Sequence, residues 1–279
     1  MKKNLFWLFS ILLVVSLACS FRSSETPTPE PAQPVATVEE AVQPTVEPPT
    51  AEPVQEEPTQ EVVQEEPTLE PTQETSGGDS YTEEFDGDTS QWYTWVAAGD
   101  ASKNFTELKP GSVVFSLPST ETYAYFANED YTYENVYVEA NMTAKVYGDN
   151  GLAVVCRKSD DGWYELRIHT TGQYAGSFEV YRYDQNLKNE KKNPYVNLMQ
   201  GIPRVFSVDV LNGSKTNTIG LLCSGEYITP IINSVRQTLP KGVEITDNML
   251  TSGEIGVGAM SFANGKVEVQ VDSVLVEAH

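Results

Sequence analysis

Basic residues are scarce in this 279-residue chain: 18 lysines and arginines stand against 40 aspartates and glutamates, a formal net charge of −22. A surface of that sign is repelled by phosphate backbones, and no basic run with interleaved aromatics offsets it, so nucleic acid is excluded as a partner. Histidine is nearly missing, with only His169 and the terminal His279 present, which leaves little for serine–histidine catalysis. The three cysteines include no C-x-x-C pair, so no metal site of zinc spacing is legible. No apolar run reaches the roughly 20 residues of a membrane-spanning helix, and no segment carries apolar residues at helical spacing. Carboxylates are plentiful, yet nowhere do three of them fall on one strand face.

What is present divides the chain in three. Met1 to Cys19 opens with Lys2 and Lys3, continues through the apolar run Leu5 to Leu17 and ends Ser16-Leu17-Ala18-Cys19. That is a basic start, an apolar stretch of export-signal length and small residues at a cleavage point. The cysteine behind the cleavage point resembles the lipobox of bacterial lipoproteins, in which that thiol is lipidated (palmitate among its chains) and becomes the new N-terminus. The resemblance implies lipidation at Cys19, a membrane partner through the anchor, and an extracytoplasmic location. Ser16 and Leu17 stand in reverse of the family's order, and Ser16-x-Ala18 also suits ordinary signal peptidase, which would release an unlipidated protein.

Residues 20–80 form a tether. Between Ser20 and Asp79 lie 14 acidic residues, one basic residue (Arg22) and 11 of the 17 prolines. The near-repeats VQEEPTQE at Val54 and VQEEPTLE at Val63 sit in it, and no aromatic residue follows Phe21. Ordering such a segment costs chain entropy and buries almost nothing, so the sequence predicts disorder. Proline and like charge extend it, to a ceiling of roughly 190 Å at about 3.1 Å per residue. Ser76-Gly77-Gly78 ends it.

From Tyr81 to His279 the composition changes. All 14 tyrosines and three of the four tryptophans lie in this region. Apolar residues recur with a period of two, bounded by Gly, Asp, Asn and Pro turns. Val136, Val138, Ala140 and Met142 alternate with Tyr137, Glu139, Asn141 and Thr143. The centrepiece is GLAVVCRKSDDGWYELRI, Gly151 to Ile168, two strands joined by the turn Ser159-Asp160-Asp161-Gly162. About ten strands and no helix predict an all-β, antiparallel β-sandwich or barrel over residues 81–279. Asp184 to Ile202, with Lys188, Lys191 and Lys192, is the longest irregular piece and reads either as a solvated insertion or as a binding loop.

Cys156 and Cys223 are left after the lipobox. In an oxidising compartment an even count implies a bridge, here between strands expected to be neighbours in one sheet; two buried free thiols are the alternative.

The stretches GLAVVCRKSDDGWYELRI, TIGLLCSGEYITPIINS, TSGEIGVGAM and VEVQVDSVLV resemble, in order, the second half of bacterial concanavalin A-like (laminin G-like) jelly-roll domains. The resemblance implies a jelly-roll sandwich whose closing-strand aspartate, here Asp272, is structural. Pro230 departs from the pattern and, lacking an N–H, places its strand at an edge or bulge. Related laminarinase-type glycosidases carry an E-x-D-x-x-E strand; Glu268 and Asp272 share a face in VEVQVDS without a third acid, so an enzyme is the less favoured reading.

Alternation offers a binding face. Tyr164, Leu166 and Ile168 point one way; Trp163, Glu165, Arg167 and His169 point the other, and Tyr181 and Tyr183 share a face of the following strand. Flat rings beside charged hydrogen-bonding groups suit a sugar, with its apolar ring faces and many hydroxyls. The six residues Trp163, Glu165, Arg167, His169, Tyr181 and Tyr183 are therefore the candidate ligand site, and a polysaccharide or an envelope protein the candidate partner. An ordinary half-solvated face with cross-strand pairs is the plain alternative. Trp92 and Trp95 read as packing residues. No cofactor is implied, beyond a structural calcium ion that Asp86, Asp88 and Asp272 would share if the first and last strands pair.

Overall fold

The structure, a computed structural model, describes residues 78–118, 121–145, 148–262 and 265–279. The expected export signal, Cys19 and residues 20–77 of the expected tether lie outside the described residues. Of its last three residues, the Asp79 carbonyl accepts from the Tyr133 hydroxyl and Ser80 Oγ from the Ala278 amide.

The first strands are β1 (Tyr81–Glu83), β2 (Trp92–Ala98), β3 (Thr106–Lys109), β4 (Ser112–Leu117) and β5 (Thr122–Tyr133). There follow β6 (Val136–Ala144), β7 (Asn150–Ser159), β8 (Gly162–His169) and β9 (Ser177–Asp184), then a short helix α1 (Gln185–Asn189), β10 (Tyr195–Asn197) and β11 (Val205–Phe206). The last are β12 (Thr216–Ser224), β13 (Tyr227–Ile232), β14 (Val235–Arg236), β15 (Gly253–Ser261) and β16 (Val267–Ala278). They form two antiparallel sheets. One runs β14-β13-β12-β6-β16-β4-β3 with β1 on β16; the other runs β10-β9-β8-β7-β15-β5-β2 with β11 on β9.

The period-two pattern is what builds the sandwich. Tyr164, Leu166 and Ile168 of β8 face Ile219, Leu221 and Cys223 of β12 within one apolar core. On β16 the inward residues are Val267, Val269 and Val271, then Val274 and Val276. That phase change is a bulge, seen as a register shift between Val271 and Ser273 against β6. One extra residue, Asp272, turns the next valines back to the core. Each fully buried valine or leucine in such a layer contributes about 1.5–3 kcal/mol.

Several expectations change. The disulfide Cys156–Cys223 is present, but it joins β7 of one sheet to β12 of the other through the core, with a Cα separation of 6.7 Å. It is a staple between layers, not a link between neighbours. The domain is not wholly free of helix: Asp184 caps α1 by accepting from the Asn186 and Leu187 amides, and the Asp184 to Ile202 piece, which reads as irregular, carries both α1 and β10. β5, the strand Thr122–Tyr133, has a pattern that sequence reading passed over. Pro230 lies in β13, which is covered by β14 and keeps its register against β12, so its strand is neither an edge nor bulged there. The two-residue β14 pairs only with Ile231 and Ile232, and beyond it the Gln237 amide donates to the Pro230 carbonyl.

Just beyond Cys156 the β7–β8 register shifts, and Arg157 adopts φ 51 there. Its guanidinium donates to the carbonyls of Glu134, Gly225 and Leu250 at 2.8–3.1 Å, tying three loops to the end of the central hairpin.

Candidate functional site

The outer face of the β10-to-β2 sheet carries a second packed layer. In the β8–β9 ladder Trp163 is opposite Tyr183, Glu165 opposite Tyr181, and Arg167 opposite Glu179. Alternation therefore brings to one face the six residues expected there, together with Glu179. Small residues on the neighbouring strands leave room above them. A Cβ on Gly258 would lie 2.4 Å from the Tyr125 ring, and one on Gly151 would lie 3.1 Å from the Arg167 side chain; tyrosine and arginine lie over bare backbone.

Glu165 is the hub of this layer. Its Oε2 accepts from the Tyr125 hydroxyl at 2.6 Å and from the Trp163 indole at 3.2 Å. Its Oε1 accepts from Arg167 Nε at 2.8 Å, and Arg167 Nη2 lies 2.6 Å from the same oxygen, off the hydrogen-bonding direction. Burial works against the charge on Arg167, but the Glu165 carboxylate and the surrounding tyrosines hold its pKa well above the ordinary value. Burial, helped by Glu165, pushes the Tyr125 hydroxyl well up, so it stays a donor. The Arg167 guanidinium sits 5.0–5.7 Å from the rings of Tyr123, Tyr181, Tyr195 and Phe262, an aromatic cage filled by the protein's own cation.

Trp163 and Tyr183 stack on each other at 3.8 Å and are 5% and 3% exposed. Trp95 stacks on Tyr125 and meets Trp163 edge-on. These rings cover one another, so neither Trp163 nor Tyr183 offers a free face to a sugar, and Glu165 is fully engaged. Of the six expected ligand residues, Arg167, His169 and Tyr181 reach an open cleft; Trp163, Glu165 and Tyr183 form the packed layer beside it.

That cleft, about 340 Å³, lies at the His169 end of β8. Its walls are Arg167, His169, Glu179 and Tyr181 from β8 and β9, Glu121 and Tyr123 at the start of β5, Phe262 after β15, and Asp149, Thr171, Gln173, Tyr174 and Arg204 from loops. His169 Nε2 is 3.0 Å from Glu179 Oε2, and Nδ1 is 3.0 Å from the Asn150 carbonyl. Both ring nitrogens therefore face oxygen atoms of the protein. Arg204 Nη2 lies 2.8 Å from Glu179 Oε1, and the guanidinium lies 3.2 Å over the Tyr174 ring. Burial alone would raise the Glu179 pKa, but the His169 hydrogen bond and the charges of His169, Arg167 and Arg204 hold it below the ordinary glutamate value. A glycosidase acid needs the opposite shift, so Glu179 is a poor proton donor at neutral pH. Arg204 Nη1 is buried and has no hydrogen-bond partner among the described residues.

No set of three or more His, Cys, Asp or Glu side chains among the described residues is arranged to hold a metal ion. The suggested calcium trio does not form. β1 does pair with β16, but Asp88 accepts from the Ser90 amide and Asp272 from the Gln270 side chain. Glu268 and Asp272 belong to the other sheet, away from the cleft.

Sequence reasoning missed Tyr123, Tyr125, Glu179, Tyr195 and Arg204. The alternation in Thr122-Tyr-Ala-Tyr-Phe-Ala signals the first two, and Glu179 shares the period of Tyr181 and Tyr183. Tyr195 opens the three-residue strand β10, inside the piece that reads as irregular, and Arg204 lies just before β11; neither has a sequence signal.

Among solved structures, the chain is similar to a prokaryotic β-1,3-1,4-glucanase (lichenase) derived from a mouse hindgut metagenome. The TM-score is 0.51 at 14% identity, over 72% of this chain and 99% of that one. The fold is a concanavalin A-like jelly roll. A structure described as a native glycosidic hydrolase matches at TM-score 0.50 and 13% identity, over 71% of this chain and 95% of that one. A carbohydrate-binding module from Bacillus subtilis matches at 0.49 and 8%, over 67% and 96%. No family model matches the chain, and no curated protein matches it either. At such identities the likeness establishes the jelly roll and leaves function to the site.

Proposed function

We propose that this protein is a lipid-anchored extracytoplasmic module that binds glycan in the cleft at the His169 end of the outer sheet face. The observation that carries the reading is the lining of that cleft. Rings (Tyr123, Tyr174, Tyr181, Phe262) alternate there with guanidinium, imidazole and carboxylate groups (Arg167, Arg204, His169, Glu179). A sugar presents apolar ring faces to the former and hydroxyls to the latter, and Arg204 Nη1 supplies a buried donor that still lacks an acceptor. The lipobox-like Ser16-Leu17-Ala18-Cys19 and the proline-rich tether support display away from a membrane.

The test is a glycan array probed with the full chain and with Arg204→Ala and Tyr181→Ala. Binding by the parent that falls at least tenfold in both variants is expected. Binding unchanged in both, or none by the parent, sinks the reading. Anchoring is tested separately by radiolabelled palmitate, whose incorporation should vanish in Cys19→Ala; equal labelling of the two proteins would end that part of the proposal.

A further inference from the structure

We infer that the cleft is blind and takes the end of a neutral glycan, its terminal one or two sugars, in place of the interior of a polysaccharide. This rests on the glycan reading above and adds the form of the ligand. Tyr195 comes from β10, at one margin of its sheet, and Tyr123 and Tyr125 come from β5, five strands away. In a flat sheet, five spacings of about 4.8 Å would separate these strands by about 24 Å. Instead the Tyr195 and Tyr123 ring centroids are 5.7 Å apart, and the Tyr195 and Tyr125 hydroxyls are 3.0 Å apart. The sheet is curled so tightly that side chains from its two sides meet over its middle. A sugar chain lying along the trough between them would run into this bridge.

The cleft stops there. Tyr123, Tyr181 and Phe262, which surround Arg167 beneath the bridge, are also cleft walls. The volume of about 340 Å³ is at the small end of ligand pockets, which span roughly 300–1,000 Å³. Charge selects further. Every basic group of the lining already holds a carboxylate, Arg167 that of Glu165 and both His169 and Arg204 that of Glu179, while Glu121 and Asp149 add negative charge, so an anionic sugar is disfavoured.

The experiment is isothermal titration of the full chain with ladders of glucose, mannose, galactose, N-acetylglucosamine and fructose oligomers, from one sugar to six, and with a polymer of about 20 sugars for any sugar that binds. The expected result is affinity that changes less than threefold from disaccharide to hexasaccharide, with one protein bound per chain at every length. A tenfold or larger gain between those lengths, or several proteins per polymer chain, overturns the inference while leaving the glycan reading standing. No binding to any ladder removes both. In Tyr195→Ala, checked for folding by near-ultraviolet circular dichroism, the trough opens and the hexasaccharide should bind at least threefold tighter than the disaccharide. A folded Tyr195→Ala with the parent's flat profile also overturns it. Tyr195→Phe keeps the ring and should keep the flat profile; length dependence there counts against the bridge as the stop.

Discussion

Glu165 and Leu166 are neighbours in the chain, both 0% exposed, and buried for different reasons. Leu166 lies between the sheets, where burial follows from an apolar side chain on the inward face. Glu165 lies on the outward face, where burial follows from curvature: Tyr125, Trp163 and Arg167 close over it and supply its hydrogen bonds. The first layer tolerates any side chain of the right size and polarity. The second holds only while its charges and donors remain matched, because an unpaired charge in that setting is costly.

The contrast can be broken most directly at Glu165. Glu165→Ala leaves Arg167 buried without its partner and should cost up to about 5 kcal/mol by denaturant unfolding. Glu165→Gln combined with Arg167→Met should cost clearly less than either change alone. Additive losses would show that the two side chains do not act as a pair. Next in size is the staple: Cys156→Ala with Cys223→Ala should cost about 4 kcal/mol, as expected for releasing a loop of 67 residues. A loss under 1 kcal/mol would mean that packing between the sheets holds them without it. Leu166→Ala, the inner counterpart of the Glu165 change, should cost about 3 kcal/mol with no effect on its variants' pairing. Tyr195→Phe removes only the hydroxyl contact with Tyr125 and should cost about 1 kcal/mol.

The smallest effect concerns acid. Because Glu179 has a depressed pKa in the folded state, its contribution is present above the unfolded carboxyl value of about 4.3 and is lost as pH falls through the lower folded value. Glu179→Gln should therefore flatten the acid limb of stability measured from pH 6 to pH 2. An unchanged limb would show that Glu179 gains nothing from His169 and Arg204 in the fold.

Much of the fold was legible. The pattern Val267, Val269, Val271, Val274, Val276 records both a strand and its bulge, and the Asp160-Asp161-Gly162 turn marks the central hairpin. The site was half legible: period two places Trp163, Glu165, Arg167 and His169 on one face and says nothing of what lies above that face. Trp163, an expected platform, proved to be covered by Tyr183, and the open cleft formed one end further along, with Arg204 from a loop.

By itself, then, the sequence determined which residues point inward, where the chain turns and that two cysteines were available for a bridge, since all of these depend on neighbours a few residues apart and on polarity. Only the tertiary structure decided that the bridge crosses between sheets, that Glu165 is interior, and that Tyr195 meets Tyr125. Those outcomes depend on sheet curvature, which accumulates over many strands and brings together side chains from opposite margins.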